Sequence, residues 1–209
     1  MSLNFYVIEY KSDNEGCPVF LDGVENCDWE WTIYDPAPYK FTITKNYEFR
    51  IVDKDVEFLE LDYSGSPARF VSQQFLNVCD ALGAEYRSVP VKVYLANGVE
   101  TRKDYFYFLS AQWESLLDES KSEYSLELDM ESGKPTVNKF YPKANCYNWI
   151  NKFTTKRNIE SDIFWCSELM ELVCSQRFVD ESVQCDLKGI NFVPINEEYR
   201  YDPWNEIPE

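Results

Sequence analysis

Carboxylates are the reactive side chains this sequence offers in quantity: 37 Asp and Glu stand against 20 Lys and Arg, and there is no histidine. Lack of histidine removes the commonest general base, the usual partner of a nucleophile and the commonest metal ligand. The seven cysteines (Cys17, Cys27, Cys79, Cys146, Cys166, Cys174 and Cys185) are odd in number and never spaced as CxxC, so a structural zinc site is not expected. No Asp-rich calcium loop, phosphate-cradling glycine loop, dinucleotide fingerprint or nucleophile elbow occurs. No cofactor and no metal are therefore expected. What remains is paired carboxylates, such as Asp53/Asp55, Glu127/Asp129 and Glu197/Glu198. Two carboxylates can act as acid and base in glycoside hydrolysis. These pairs, however, lie in turn or tail sequence, and nothing marks either member as buried.

The same acids suit binding better than catalysis. A net charge of −17 repels nucleic acid and anionic membrane and attracts a cationic partner. Several acids sit beside large aromatics, which supply binding energy while the charges steer and select. The candidate partner-binding residues are Asp28, Trp29, Glu30 and Trp31, then Asp118 and Glu119, then Glu197, Glu198, Tyr199, Tyr201, Asp202 and Trp204. The competing reading has these aromatics packing their own loops onto a sheet. One segment breaks the acidic field: residues 132–158 carry six bases and no acid, interleaved with Phe140, Tyr141, Tyr147, Trp149 and Phe153. Alone it resembles a nucleic-acid footprint; in so acidic a chain it reads as an internal counterweight to neighbouring acids.

The elements that must position these residues are organised around 69–93, which reads as strand, helix, strand. Ser72 stands at the N-cap position, Phe75, Val78, Cys79 and Leu82 form one apolar helical face, and Gly83 closes the helix. An echo begins at Ile163, with Ile163–Cys166 as strand, Ser167 as cap, Leu169, Met170, Leu172, Val173 and Cys174 as helix positions, and Ile190–Val193 as the returning strand. Residues 3–10 read as an edge strand. Phe41 to Ile51 suggests strands meeting at Lys45-Asn46. Val56–Tyr63 reads as a strand closed by Ser64-Gly65-Ser66-Pro67. Asn97-Gly98 signals a hairpin whose second arm, Asp104–Leu109, is apolar enough for a sheet interior. Residues 111–131 read as a short helical turn and a polar loop, and Tyr147–Phe153 as a short strand or helix.

The expected fold is α+β: a mixed, largely antiparallel, aromatic-rich sheet with two or three packed helices. It forms one domain over 1–209, with a β-rich part at 1–66, a core at 67–193 and an acidic tail at 194–209. No apolar run approaches the ~20 residues that span a bilayer, and the start of the chain lacks a basic, cleavable leader. Cysteines on apolar positions indicate a reducing compartment, the cytoplasm.

Several runs, taken in order, resemble a known family. They are Phe70-Val71-Ser72 before a helix, the returning Val89-Pro90-Val91, Asp104-Tyr105-Phe106-Tyr107, Leu117-Asp118 followed by Ser120, Ser122 and Tyr124, Phe164 through Ser167-Glu168, and Lys188-Gly189-Ile190-Asn191-Phe192. Together they resemble the bacterial immunity proteins of polymorphic toxin systems, specifically the family numbered eleven. The resemblance implies a cytoplasmic antitoxin that binds a cognate secreted or contact-delivered toxin, and it brings no catalytic residues. The acidic surface favours a toxin with a basic face, such as a nuclease. Two other readings stay open: a carboxylate-dependent hydrolase, which requires a deep cleft, and an acidic nucleic-acid mimic, which requires rows of acids at phosphate-like spacing.

Overall fold

The structure is a computed structural model and describes residues 4–12, 14–65 and 70–205. The chain divides into two compact units. Unit I comprises Glu9–Ala111 and Arg177–Phe192; unit II comprises Met1–Ile8, Gln112–Gln176 and Val193–Glu209. Strand β1 (Phe5–Tyr10) belongs to both by sequence. The architecture is α+β and sheet-rich, with two α-helices among the described residues.

Unit I is built on a five-stranded sheet of β2 (Gly23–Glu25), β3 (Tyr47–Ile51), β4 (Phe70–Ser72), β5 (Tyr86–Tyr94) and β6 (Tyr105–Ser110), in the order β2-β3-β5-β6-β4. The β3–β5 pair is parallel; the other three pairs are antiparallel. Alternation fixes the faces. Tyr47, Phe49 and Ile51, Val89, Val91 and Val93, and Tyr105, Tyr107 and Leu109 all point into one core with Phe70, Leu59 and Leu61. The aromatic arm is interior to the sheet, as its composition predicts. Helix α1 (Gln73–Ala81) follows β4 directly and buries Phe75, Leu76, Val78 and Cys79. Its start is the expected one: Ser72 Oγ accepts from Gln74 N (3.1 Å) and Phe75 N (3.2 Å), satisfying two of the free N–H groups of the first turn. Gly83 takes the left-handed conformation (φ 68°) just beyond the C-cap.

Two strand expectations in this unit are corrected. Residues 41–45 form no strand leading into β3, because the Thr44 and Lys45 N–H groups are taken by the Glu30 carboxylate at 2.8 and 3.0 Å rather than by a ladder. Val56–Tyr63 is an extended connection; only Tyr63 makes a bridge, to Val71. Its Asp62 is fully buried and collects Ser72 Oγ, the Lys103 ammonium (2.8 Å) and the Lys188 N–H (2.7 Å), which gives the segment its path without a sheet. Of the turn expected to close it, Ser66 and Pro67 lie outside the described residues, as does Arg69.

A second sheet has strand order β12-β1-β11-β10-β7, with β7 (Trp113–Glu114), β10 (Ile163–Cys166) and β11 (Glu171–Ser175) from unit II and β12 (Ile190–Ile195), like β1, belonging to both units by sequence; unit II also has a separate pair, β8 (Glu123–Leu126) with β9 (Tyr147–Lys152). β1 is therefore interior, not an edge. Residues 111–131 hold β7, a turn and β8 with no helix among them.

The predicted second helix, with positions Leu169 to Cys174, is instead the turn and second strand of the β10–β11 hairpin. β10 is buried at all four positions and β11 at four of five, so both are continuous apolar runs that a helix of similar length would also show. Met170, at φ 53°, makes the turn. The echo itself is real but lies eight residues further on. Val173-Cys174-Ser175-Gln176-Arg177-Phe178 matches Phe70-Val71-Ser72-Gln73-Gln74-Phe75, and α2 (Gln176–Gln184) starts where α1 does in that alignment. Ser175 donates from N (2.9 Å) and Oγ to Asp162, as Ser72 does to Asp62. Within unit I, Phe178 of α2 meets Phe75 of α1 edge-on at 5.4 Å.

Candidate interaction surface

The Cys27–Trp31 loop joins β2 to the approach of β3 in unit I. Trp31 is 8% exposed and packs on Tyr47 (5.0 Å) and Tyr107 (5.3 Å); it is part of the core. Trp29 is half-buried, stacked on Trp31 at 5.6 Å and edge-on to Tyr107. Each such pair contributes roughly 0.5–1.5 kcal/mol beyond its buried area, so the loop is held to the sheet by its indoles. Tyr107 donates to the Glu25 carboxylate, whose pKa is pushed up by burial. Glu30 is a clamp. It accepts from Thr44 Oγ1 (2.6 Å), Thr44 N, Lys45 N and Tyr47 OH, and these bonds, that of the Thr44 hydroxyl first, hold its pKa down to about 2. Asp28 is exposed, and its carboxylate has no partner among the described residues.

The remaining candidates fall in unit II. Asp118 closes its own turn, accepting from Lys121 and Ser120, and the Lys121 bond leads in lowering its pKa. Glu119 is exposed and accepts from Tyr147 OH (2.6 Å) and Asn145 Nδ2 (3.1 Å); burial and then Glu119 raise the Tyr147 pKa. Tyr201 bridges Ile150 of β9, and the Tyr199 ring meets Phe153 edge-on at 6.1 Å. Both rings pack against the unit II core. Asp202 is half-buried. Glu197 and Glu198 are exposed with uncommitted carboxylates, and Trp204 is 72% exposed. The sequence-selected residues thus separate into ones that build loops (Trp29, Glu30, Trp31, Asp118, Glu119, Tyr199, Tyr201), half-buried Asp202, and ones left open (Asp28, Glu197, Glu198, Trp204).

A family profile described as Immunity protein 43 matches residues 21–206. The chain belongs to that family. Its role is accordingly that of an immunity protein, an antitoxin of a polymorphic toxin system, and membership points to binding rather than catalysis. The family number expected from sequence, eleven, is corrected to 43: short strand–turn runs such as Phe70–Ser72 and Lys188–Phe192 are too unspecific to single out one immunity family. No curated protein matches the chain.

All twelve candidate residues of this immunity protein lie inside the matched span. Other exposed residues carry no sequence signal. In unit I, Val19 and Phe20 (78% exposed) precede the matched span; in unit II, Leu128, Met130 and Val137 project from the ribbon between β8 and β9. No periodicity betrays them, since isolated apolar residues in loops read like buried ones. The basic segment is mostly not engaged in direct ion pairs. Among the described residues no ion pair engages Lys134, Lys139, Lys143, Lys152 or Arg157, while Lys156 donates to the Ser115 carbonyl (3.0 Å) and hydroxyl (2.6 Å). No described helix is long and apolar enough to cross a membrane, and no described cluster of Cys, Asp and Glu has metal-holding geometry.

Proposed function

We propose that this immunity protein neutralises one cognate secreted or contact-delivered toxin domain by stoichiometric binding in the cytoplasm, and that the toxin presents a basic face, as a nuclease does to its substrate. The observation that carries the reading is the charge: −17 overall, with Asp28, Glu197 and Glu198 holding exposed carboxylates that no described side chain neutralises. Such a field raises encounter rates with a basic protein from a neutral ~10⁵–10⁶ M⁻¹s⁻¹ towards ~10⁸–10⁹ M⁻¹s⁻¹ at low salt. Trp204 is the open aromatic that supplies contact area. None of the seven cysteines is joined in a disulfide, which supports a reducing compartment.

The test is co-expression with the toxin domain encoded beside this gene, followed by association kinetics from low to high salt. Rescue of growth, a one-to-one complex and an association rate that falls steeply with salt are expected, since screening acts within ~8 Å at physiological ionic strength. Toxicity that persists at excess immunity protein refutes the pairing. A salt-independent rate refutes the basic face.

A further inference from the structure

The unit I sheet has a second face. α1 covers it over β6, where Phe75 meets Phe108 edge-on at 5.7 Å. Beyond the helix, the outward residues of β3, β5 and β6 line an open groove of about 580 Å³. Register places them in rows. Pro90 is opposite Phe106, Glu48 is opposite Lys92, and Asp104 directly precedes β6 on the far side of Lys92. With strands about 4.8 Å apart, the row Glu48–Lys92–Asp104 spans about 10 Å and lies next to the Pro90–Phe106 pair, two residues along the strands on the same face.

The lysines that line the groove are mostly spoken for. Lys103 is drawn down onto Asp62 and the Glu60 carbonyl (2.6 Å), and Lys45 donates to the Asp28 carbonyl (2.8 Å). The Lys92 ammonium leans on Glu100 at 3.7 Å. Glu48 and Asp104 have no side-chain partner among the described residues. Glu48, Glu100 and Asp104 therefore face the ammoniums of Lys92 and Lys45, the latter bound only to a neutral carbonyl, and the acids exceed the bases by one. Phe106, half-buried in the floor, has no ring or cation partner among the described residues. On the same face, the cross-strand pair Arg50 and Tyr94 already shows what such a surface accepts, with the guanidinium 5.3 Å from the ring centroid.

We infer that this groove is a docking site for a basic loop of the cognate toxin, with a cationic side chain, arginine by preference, laid on Phe106 beside Asp104, and with Glu48 across Lys92 as the second acid of the groove. Arginine is preferred because its planar cation stacks on an aromatic face while its N–H groups reach carboxylates at either side. The inference rests on the proposed antitoxin reading and names the surface that would serve it.

The experiment measures binding of the toxin domain encoded beside this gene to wild type, Phe106→Leu, the double variant Glu48→Lys/Asp104→Lys, and Glu131→Lys as an exposed charge control in unit II. Thermal melts establish that each is folded; Phe106→Leu keeps the apolar bulk and loses only the π-face. A weakening of roughly tenfold is expected for Phe106→Leu and of about thirtyfold or more for the double variant, with Glu131→Lys within about twofold per kinetic constant at physiological salt. Groove variants that bind like wild type, or a control that loses as much as they do, overturn the inference and leave the antitoxin reading standing. A wild-type chain that does not bind this toxin overturns both.

Discussion

Replacing Glu168 by glutamine should cost unit II about 3 kcal/mol, although the two side chains have nearly the same shape. Glu168 is 4% exposed in the turn between β10 and β11. Oε1 accepts from Ser115 Oγ (2.6 Å) and Leu117 N (3.2 Å); Oε2 accepts from Leu116 N (3.1 Å) and lies 3.1 Å from Ser167 Oγ. Hydroxyls can turn to suit an amide, but backbone N–H groups cannot. Whichever way the new glutamine faces, its NH₂ points at the N–H of Leu116 or Leu117, both buried. One buried donor left unpaired costs about 1–3 kcal/mol, and trading a charged acceptor for a neutral one about 1 kcal/mol more. Relief of carboxylate desolvation offsets part of this, but Lys156 already reaches the site through Ser115 Oγ at 2.6 Å. Glu168→Met removes both acceptors and should cost about 4–5 kcal/mol; Ser115→Ala removes one hydroxyl and should cost about 1–1.5 kcal/mol. For a chain of this size, a loss of about 3 kcal/mol is a Tm fall of about 6–12 °C. Calorimetry, with near-ultraviolet circular dichroism reporting the Trp113–Trp165 contact at 5.8 Å, reads the effect. A Glu168→Gln protein within about 0.5 kcal/mol of wild type, the range of an ordinary surface substitution, or one less destabilised than Ser115→Ala, would refute the reasoning.

Two further substitutions test the unit I scaffold. Glu30 has its pKa held down to about 2 by Thr44 and Lys45, so its contribution is complete above its ordinary pKa of about 4.5 and is lost as pH falls from there towards 2. The stability gap between wild type and Glu30→Gln, followed by tryptophan fluorescence of the Trp29–Trp31 stack, should therefore be constant above about pH 5 and close below it; a gap that persists unchanged at about pH 2.5 sinks the clamp. Ser72→Ala should cost about 1–2 kcal/mol by loss of the cap, whereas Ser72→Asp, which installs a good cap residue elsewhere, should cost more because it sets a second carboxylate against buried Asp62. Chemical denaturation decides, and a Ser72→Asp protein more stable than the Ser72→Ala protein contradicts the Asp62 pairing.

The sequence is most informative where local rules and tertiary packing agree. Ser72, Phe75, Val78, Cys79 and Gly83 specify α1 by cap, periodicity and stop, and all hold. The same rules misplace α2, since Ile163–Cys166 and Leu172–Ser175 are buried on both faces and lose the alternation that separates strand from helix. The aromatic–acidic loop is legible as a unit, but its orientation is not. Trp31 and Glu30 are spent internally because Tyr47 and Tyr107, far away in sequence, supply the ring and the hydroxyl that complete them. The outward row of β3, β5 and β6 is illegible for the same reason: Glu48, Lys92 and Asp104 become neighbours only through strand pairing.

Net charge alone does not choose a docking surface, because 37 acids cannot all be doing the same thing. Self-repulsion at −17 opposes compaction, and the fold answers it by drawing particular carboxylates into service as acceptors. Asp62, Asp162 and Glu168 are buried where strands, turns and helix starts need an anionic acceptor, and Glu30 ties a loop from outside the core. Each such acid has its field largely consumed by its own donors. The charge a partner meets is what remains, and it includes Asp28, Glu197 and Glu198 in loops, and Glu48 and Asp104 on a sheet face. Of these only Glu48 and Asp104 are set by strand register, beside an aromatic ring, so that binding there costs little ordering of the protein. An antitoxin must hold its toxin as well as attract it; loop acids contribute to encounter, whereas a rigid groove with an apolar floor slows release.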